Sequence, residues 1–483
     1  MTASKPYLWT GQEVAAALSM PELPIASGAA EWGATGISID SRTLKPGDLY
    51  IAIRGDTHDG HAFGADAFVK GAVAAIVDHP IELPDQFPQI IVEDTLEALS
   101  KLGAFARQRT KATIIAITGS VGKTSTKELL RHVLEGFSVT FASPASYNNH
   151  WGLPLSLACL PRNAIYGVFE LGMNHRGEIA PLASLACPHI AVITAIAEAH
   201  IGLMASRQDI AEEKSDIFSG SPPPGLAIIN QDAPEFELMR SYALKCGVSK
   251  ILGFGKAEKA AIRLIDYSTD STGQKGIATA SLNGQKVVYT LPQPGEHVAL
   301  NSLIALAIGE ALGLDQGQLI AQLKTISAVK GRGNQHRIPV SGGEILLIDD
   351  AYNANLTSMQ AGLSVLASIP VSSQGRRIVV LGEMLELGDQ AEVHHQQLIM
   401  EVLARPIHRI FAVGGTVMET AFSSNVPSDK AGGYASSVDA LIPLVLNILR
   451  PGDIIFVKGS KGSRVSKVVD SLLNQNNVQD GVI

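Results

Sequence analysis

Residues 113–135, TIIAITGSVGKTSTKELLRHVLE, constrain the fold more than any other stretch, because a buried strand, a glycine-bearing turn and an amphipathic helix follow one another directly. Ile114, Ile115 and Ile117 are β-branched and apolar, the pattern of a parallel strand covered on both faces. Gly119 and Gly122 open the turn, and Lys123 and Thr124 begin a helix with Leu129, Leu130, Val133 and Leu134 on one side, ended by Gly136. Such a unit binds polyphosphate because glycine lets the backbone approach the oxygens, the helix N-terminus offers N–H groups without partners, and a lysine adds a mobile positive charge. Lys123 then reaches the β and γ phosphates, and the Thr124 hydroxyl holds Mg²⁺. The strict motif places four residues between its glycines. Here only Ser120 and Val121 stand there, so the flanking strand and helix carry the reading, with an ordinary strand-to-helix turn as the plain alternative.

A chain of 483 residues has room for roughly three domains, and 46% hydrophobic residues with only 5% aromatics describe an ordinary α/β protein. The net charge of −8 argues against extended nucleic-acid or anionic-membrane surfaces. Cys159, Cys187 and Cys246 are odd in number and widely spaced, so free thiols in a reducing, cytoplasmic compartment are expected. The first residues, MTASKPYLWTGQEV, contain no continuous apolar run of the kind a secretory signal needs. The most apolar long stretch, residues 182–204, is interrupted by Pro188, His189, Glu198 and His200, so no membrane span is expected.

The α/β class is expected to be realised in three domains. Residues 1–110 hold short β-type runs, GISID, DLYIAI, AAIVD and QIIVED, with Asp40-Ser41-Arg42 and Asp59-Gly60-His61 in loops after strands; ARQRTKA then reads as a polar link. Residues 111–331 continue with YGVFELG (166–172), HIAVITAI (189–196) and GLAIIN (225–230), a mostly parallel P-loop-type sheet. Near 330 the pattern breaks at VKGRGNQHRIPVSGGE, read as a glycine- and arginine-rich connection leading into residues 332–483. EILLIDDAYNAN, RRIVVLGEM, RIFAVGG and DIIFVKGS follow as a Rossmann-like unit without a GxGxxG fingerprint.

Ligands of open α/β sheets collect beyond the carboxyl ends of strands, so Glu170, His200 and the phosphate loop can meet in one crevice. Glu170 is a candidate metal carboxylate or a solvated strand-end acid, and His200 a ligand or an exposed loop histidine. Lys214, among Glu212, Glu213 and Asp216, reads by composition as a surface lysine in helix ion pairs. Asn148 and Asn149 contact a substrate or close a turn. His297 and Asn301 fall on one helix face, where a planar ring can lie against them, or merely cap. Arg332 swings onto phosphates from the second link, or is a solvated linker charge.

TGSVGKTS, ELGMNHRGEI (170–179), AHIG (199–202), the Lys214 helix, DDAYNAN with Ser358-Met359, LGEMLELG (381–388) followed by His395, and VKGS (457–460) together resemble the Mur ligases. DSRTLKPGDLYIAIRGDTHDGHAF is similar to that family's uridine-substrate domain, so the resemblance spans nearly the whole chain. It implies ATP-dependent joining of D-alanyl-D-alanine to UDP-N-acetylmuramoyl-tripeptide, with ATP and Mg²⁺ as cofactors, by a monomer. Gly119, Ser120, Val121, Gly122, Lys123, Thr124 and Ser125 hold ATP in that resemblance, and Thr124, Glu170 and His200 serve Mg²⁺. Lys214 matches a lysine that relatives carbamylate, giving a carboxylate for the metal. His297 and Asn301 match the adenine side, and Arg332 and Asp350 the phosphate and ribose contacts. Asp40, Ser41, Arg42, Asp59, His61, Asn148, Asn149, Asn353, Asn355, His395 and Lys458 match substrate-facing motifs. The chain departs from the family at Ser146, where asparagine is frequent, and at Leu356, where proline is. A folylpolyglutamate-type or third-residue ligase is disfavoured by DSRTLKPGD and DDAYNAN, and a switch ATPase by the missing NKxD. Closure about both interdomain links is expected to bring the reactants together.

Overall fold

The computed structural model describes residues 7–20, 32–55, 57–84, 87–198, 202, 204 and 206–479. Three main sheets follow one another along the chain. Gly36–Ser38, Asp48–Ile51, Ala74–Val77 and Gln89–Ile91 pair in sequence order, all parallel. The helix Thr95–Arg109 closes this unit, and Asp94 caps it by accepting from the backbone N–H groups of Leu96 and Glu97. The stretch ARQRTKA, expected as a polar link, is instead helical through Arg109 and held in place. Ala106 is buried, and the Arg107 guanidinium donates to the carbonyls of Ala186 and Cys187 at 2.7 Å each.

Among the described residues the central sheet has nine strands. Thr113–Thr118 lies between Tyr166–Glu170 and Ile190–Ile193, parallel to both; Thr140–Ala142 forms one edge, and Leu226–Asn230 and Lys250–Gly255 extend the other side. The chain thus leaves Thr113–Thr118 toward one edge and returns past it toward the other, which makes the carboxyl end of that strand the switch point where a crevice opens. The register sets Glu170 beside Ile117, next to the phosphate loop. The helix Lys123–Glu135 buries Leu129, Leu130, Val133 and Leu134 in one apolar layer with the helix Glu296–Ala311.

The sequence reading missed an antiparallel meander beyond these strands, Ile262–Thr269, Gly276–Leu282 and Gln285–Leu291. The C-terminal sheet runs, in order, Asn334–Val340, Gly343–Asp350, Ile454–Lys458, Arg377–Gly382, Arg409–Val413 and Ala431–Ala435. Its first strand corrects the expectation of an irregular connection. Ile338 is buried, the strand pairs antiparallel with Gly343–Asp350, and Pro339 is tolerated because the strand lies at the sheet edge. Among the described residues, no helix is long and apolar enough to cross a membrane.

Candidate active site

Strand, loop and helix fix the phosphate loop before any ligand arrives. Gly119 (φ +148°) and Gly122 (φ +85°) adopt backbone shapes that disfavour side chains, and a Cβ on Gly119 would stand 2.0 Å from the Thr194 hydroxyl oxygen. Thr194 in turn donates to the Val121 carbonyl at 2.6 Å, and the Asn230 amide donates to the Thr194 carbonyl at 2.9 Å. The Ser120 hydroxyl donates to the Ala197 carbonyl at 2.9 Å, so the loop is anchored from the neighbouring strand end. Thr194 and Asn230 were not singled out in the sequence; polar residues closing otherwise apolar strands were the available signal.

Above this loop four functional groups meet. The Thr124 hydroxyl donates to one Glu170 oxygen at 2.9 Å, and the Asn148 amide donates to the other at 2.8 Å. Arg332 reaches across from the second link to donate to the same Thr124 hydroxyl at 2.9 Å. Glu170 is almost wholly buried, so it is not a solvated strand-end acid. The Lys123 ammonium turns back onto the Gly119 carbonyl at 2.7 Å; desolvation, with help from Arg332 and against the pull of Glu170, lowers its pKa.

Lys214 corrects the sequence reading most sharply. It is 1% exposed rather than a surface lysine, and burial first, then the Lys123 charge, push its pKa well below the ordinary lysine range. Among the described residues its ammonium makes no hydrogen bond or close ion pair, although the Glu213 and Glu170 charges pull against the shift. Its neighbour Glu213 is buried too, because its carboxylate accepts from the backbone N–H groups of Gly177, Glu178 and Ile179 at 2.7, 3.0 and 2.9 Å. These bonds tie the Lys214 helix to the GMNHRGEI loop.

A cleft of about 560 Å³ opens over the loop, between the central and C-terminal sheets. Ser120 to Ser125, Asn148, Glu170, His297, Asn301, Arg332, Asp350, Asn353, Asn355 and Lys458 all line it. Lys458 is buried against Asp350, with its ammonium 2.8 Å from the carboxylate and 2.9 Å from the Asn353 carbonyl that accepts from it. Asn355 caps the helix Leu356–Ser368, and Leu356 takes the first helical position without proline.

Other expected residues are not brought to this cleft. His395 is fully buried; one ring nitrogen accepts from the Met384 N–H at 3.0 Å and the other lies 2.7 Å from the Ala391 carbonyl, so it supports the LGEMLELG loop rather than facing a substrate. Asn149 accepts from the Gly152 N–H at 2.9 Å and closes a turn. In the first unit, His61 is buried between Asp59, 2.6 Å from one ring nitrogen, and the Asp78 N–H, which donates to the other at 3.0 Å. Asp40 accepts a forked pair from the exposed Arg42, and Lys70 holds the Ser41 carbonyl at 2.8 Å. His200 lies outside the described residues.

Comparison with known proteins defines the class. Models described as the Mur ligase family catalytic domain, the Mur ligase middle domain, and the Mur ligase glutamate ligase domain match residues 34–107, 117–309 and 336–461. The chain belongs to the Mur ligase family. Within it, the chain is similar to the UDP-N-acetylmuramoyl-tripeptide–D-alanyl-D-alanine ligase of Rickettsia prowazekii, at 35% identity over 90% of this chain and 94% of that protein. Similarity to the Escherichia coli enzyme of the same name is 34%, over 90% and 93%. The crystal structure of MurF from Acinetobacter baumannii superposes with a TM-score of 0.80 at 29% identity, over 96% of this chain and 99% of that one. That of MurF from Thermotoga maritima in complex with ADP gives 0.75 at 25% identity, over 90% and 96%.

Proposed function

We propose that this protein is an ATP-dependent ligase that joins D-alanyl-D-alanine to UDP-N-acetylmuramoyl-tripeptide in the synthesis of peptidoglycan precursors in the cytoplasm. The observation that carries the reading is the meeting of Lys123, Thr124, Glu170 and Arg332 over a phosphate loop in one cleft, in a chain aligned nearly end to end with relatives of that name. A carboxylate resists attack by an amine until one of its oxygens becomes a leaving group. The tripeptide's terminal carboxylate oxygen attacks the γ-phosphorus of ATP, the bond to ADP breaks, and an acyl phosphate results. The dipeptide amine then attacks the carbonyl carbon and loses a proton, and phosphate departs with the electron pair.

Lys123 and Arg332 absorb charge on the phosphates, while His297, Asn301 and Asp350 receive the nucleoside. The donor set fits a divalent cation, since a buried carboxylate and a hydroxyl share one spot where the Arg332 guanidinium already stands as a cation. Thr124, Glu170, His200 and a carbamylated Lys214 would hold Mg²⁺, which supplies charge neutralisation at phosphate oxygens when bound. The neutral amine that burial favours at Lys214 is the form that bonds to the carbon of CO₂, releases a proton and becomes an anion. One substrate per unit accounts for the division into 1–110, 111–331 and 332–483. Asp40, Ser41, Arg42, Asp59 and His61 mark the nucleotide-sugar unit, and Asn148, Asn353 and Lys458 lie on the way to the reacting groups.

The test is ADP release with each reactant withheld in turn, and mass spectrometry of the product. Release that requires both UDP-tripeptide and dipeptide is expected; strong turnover with ATP alone refutes the reading.

A further inference from the structure

Arg332 reaches Thr124 from a linker that has no helix or strand to hold it, so its position needs a cause. The linker backbone is clamped to the third unit: the Gly331 N–H donates to the Asp349 carboxylate at 3.0 Å, the Gly333 N–H to the Asp349 carbonyl at 2.8 Å, and the Tyr352 N–H to the Gly331 carbonyl at 3.1 Å. On this clamp the Arg332 guanidinium lies over the Tyr352 ring, 4.5 Å from its centroid. Guanidinium and ring therefore travel together with the third unit. Among the described residues one further side-chain hydrogen bond ties the pair to the central unit, the Tyr352 hydroxyl 2.8 Å from the Ser146 hydroxyl, which itself lies 3.4 Å from the Thr124 hydroxyl. The Arg332 Nε is buried without a partner, an unused donor in a site that is to take phosphate.

We propose that Tyr352 is a positioning residue: its ring carries Arg332, and its hydroxyl, paired with Ser146, sets the register of the third unit on the phosphate loop so that Arg332 meets the terminal phosphates only when the units are closed. This rests on the ATP-dependent reading above. Both residues line the cleft, and their hydroxyls pair with each other. Their effect passes through Arg332, so removing either one breaks the same contact.

The experiment is a double-mutant cycle on Tyr352→Phe and Ser146→Ala, with Tyr352→Leu to remove the ring. Each single hydroxyl loss is expected to lower kcat and the affinity for a non-hydrolysable ATP analogue about fivefold, as one hydrogen bond implies. The double variant is expected to fall by the same factor. Tyr352→Leu is expected to fall further, by about tenfold or more, since the stack is lost as well. A double variant that falls by the product of the two singles overturns the proposal, and so does a Tyr352→Leu protein with wild-type analogue affinity. A merely structural tyrosine would shift the unfolding midpoint without this coupling. Calorimetric binding of the analogue is read without peptide substrates, so a wild type that binds it but makes no peptide bond sinks the ligase reading and leaves this test standing.

Discussion

Replacing Lys214 by methionine tests the neutral amine on which the carbamate depends. The unfolded chain holds this lysine near an ordinary pKa of about 10.4, and burial lowers it in the folded protein. Between those two values the unfolded state binds one proton more than the folded one, so wild-type stability rises with pH by about 1.4 kcal/mol per unit. The destabilisation is full below the lowered pKa and gone above about pH 10.4. Methionine has comparable bulk and no proton to bind. The stability of wild type relative to Lys214→Met is therefore expected to rise with pH as about pH 10.4 is approached from below, at up to about 1.4 kcal/mol per unit, in CO₂-depleted buffer. Urea unfolding followed by tryptophan fluorescence measures it, because Trp9 and Trp151 report on the joined first and central units. A difference that stays flat on that approach means that the folded amine is charged, and refutes both its neutrality and its readiness for CO₂. Turnover is expected to move the opposite way, lost in the variant and partly restored by a short carboxylic acid.

Glu170→Gln keeps the shape of the Thr124–Glu170–Asn148 group and removes its charge; turnover is expected to fall by about 100-fold or more, with Mg²⁺ titrations of ADP release displaced to higher concentration. Gly119→Ala sets a Cβ against Thr194 at a φ of +148°, so calorimetry is expected to find nucleotide binding lost while circular dichroism stays native. His395→Ala leaves the buried Met384 N–H without an acceptor and is expected to cost about 1–3 kcal/mol in urea unfolding, with KM for ATP unchanged. A raised KM there would return His395 to the substrate side.

The phosphate loop was legible because strand, glycines and helix are each local patterns, and so were the parallel strands Tyr166–Glu170 and Ile190–Ile193. The antiparallel meander also left a local mark that went unread. Asn283-Gly284, with both residues at positive φ, makes the two-residue turn between Leu282 and Gln285. The burial of Lys214 was not legible in composition. Its neighbours in sequence are charged, and nothing local says that Glu213 is taken inside by three N–H groups of a distant loop, drawing the helix face in with it. The setting of His395 was hidden for the same reason, since a motif shows that a histidine is in place but not which atoms its nitrogens already serve.

Closure was expected about two links, and the packing across them differs. The first and central units share a core in which Trp9, Leu99 and Leu102 pack with Leu155 and Ala158. The Trp9 indole donates to the Ala158 carbonyl at 2.9 Å, Arg109 stacks on the same ring, and Glu13 pairs with Arg162. A Cβ on Gly103 would stand 2.9 Å from the Pro154 carbonyl, so the two helices already touch backbone to backbone. The apolar clusters of the third unit, among the described residues, include none from the other two. It meets the central unit through polar contacts such as Arg332 to Thr124, Tyr352 to Ser146, and His394 to Glu198 at 3.6 Å, and through local close approaches such as Gly273 to Ile369 and Pro370. Opening the first joint exposes a shared core, whereas opening the second chiefly exchanges hydrogen bonds with water, so motion is expected at the second first. Amide exchange in the absence of ligand is expected to be fast around residues 328–333 and slow in Thr95–Arg109 and Gly152–Ala158, and nucleotide with Mg²⁺ is expected to slow only the former. Fast exchange in Gly152–Ala158 that nucleotide suppresses would place a moving joint at the first link as well, and would refute the shared core as a rigid seam.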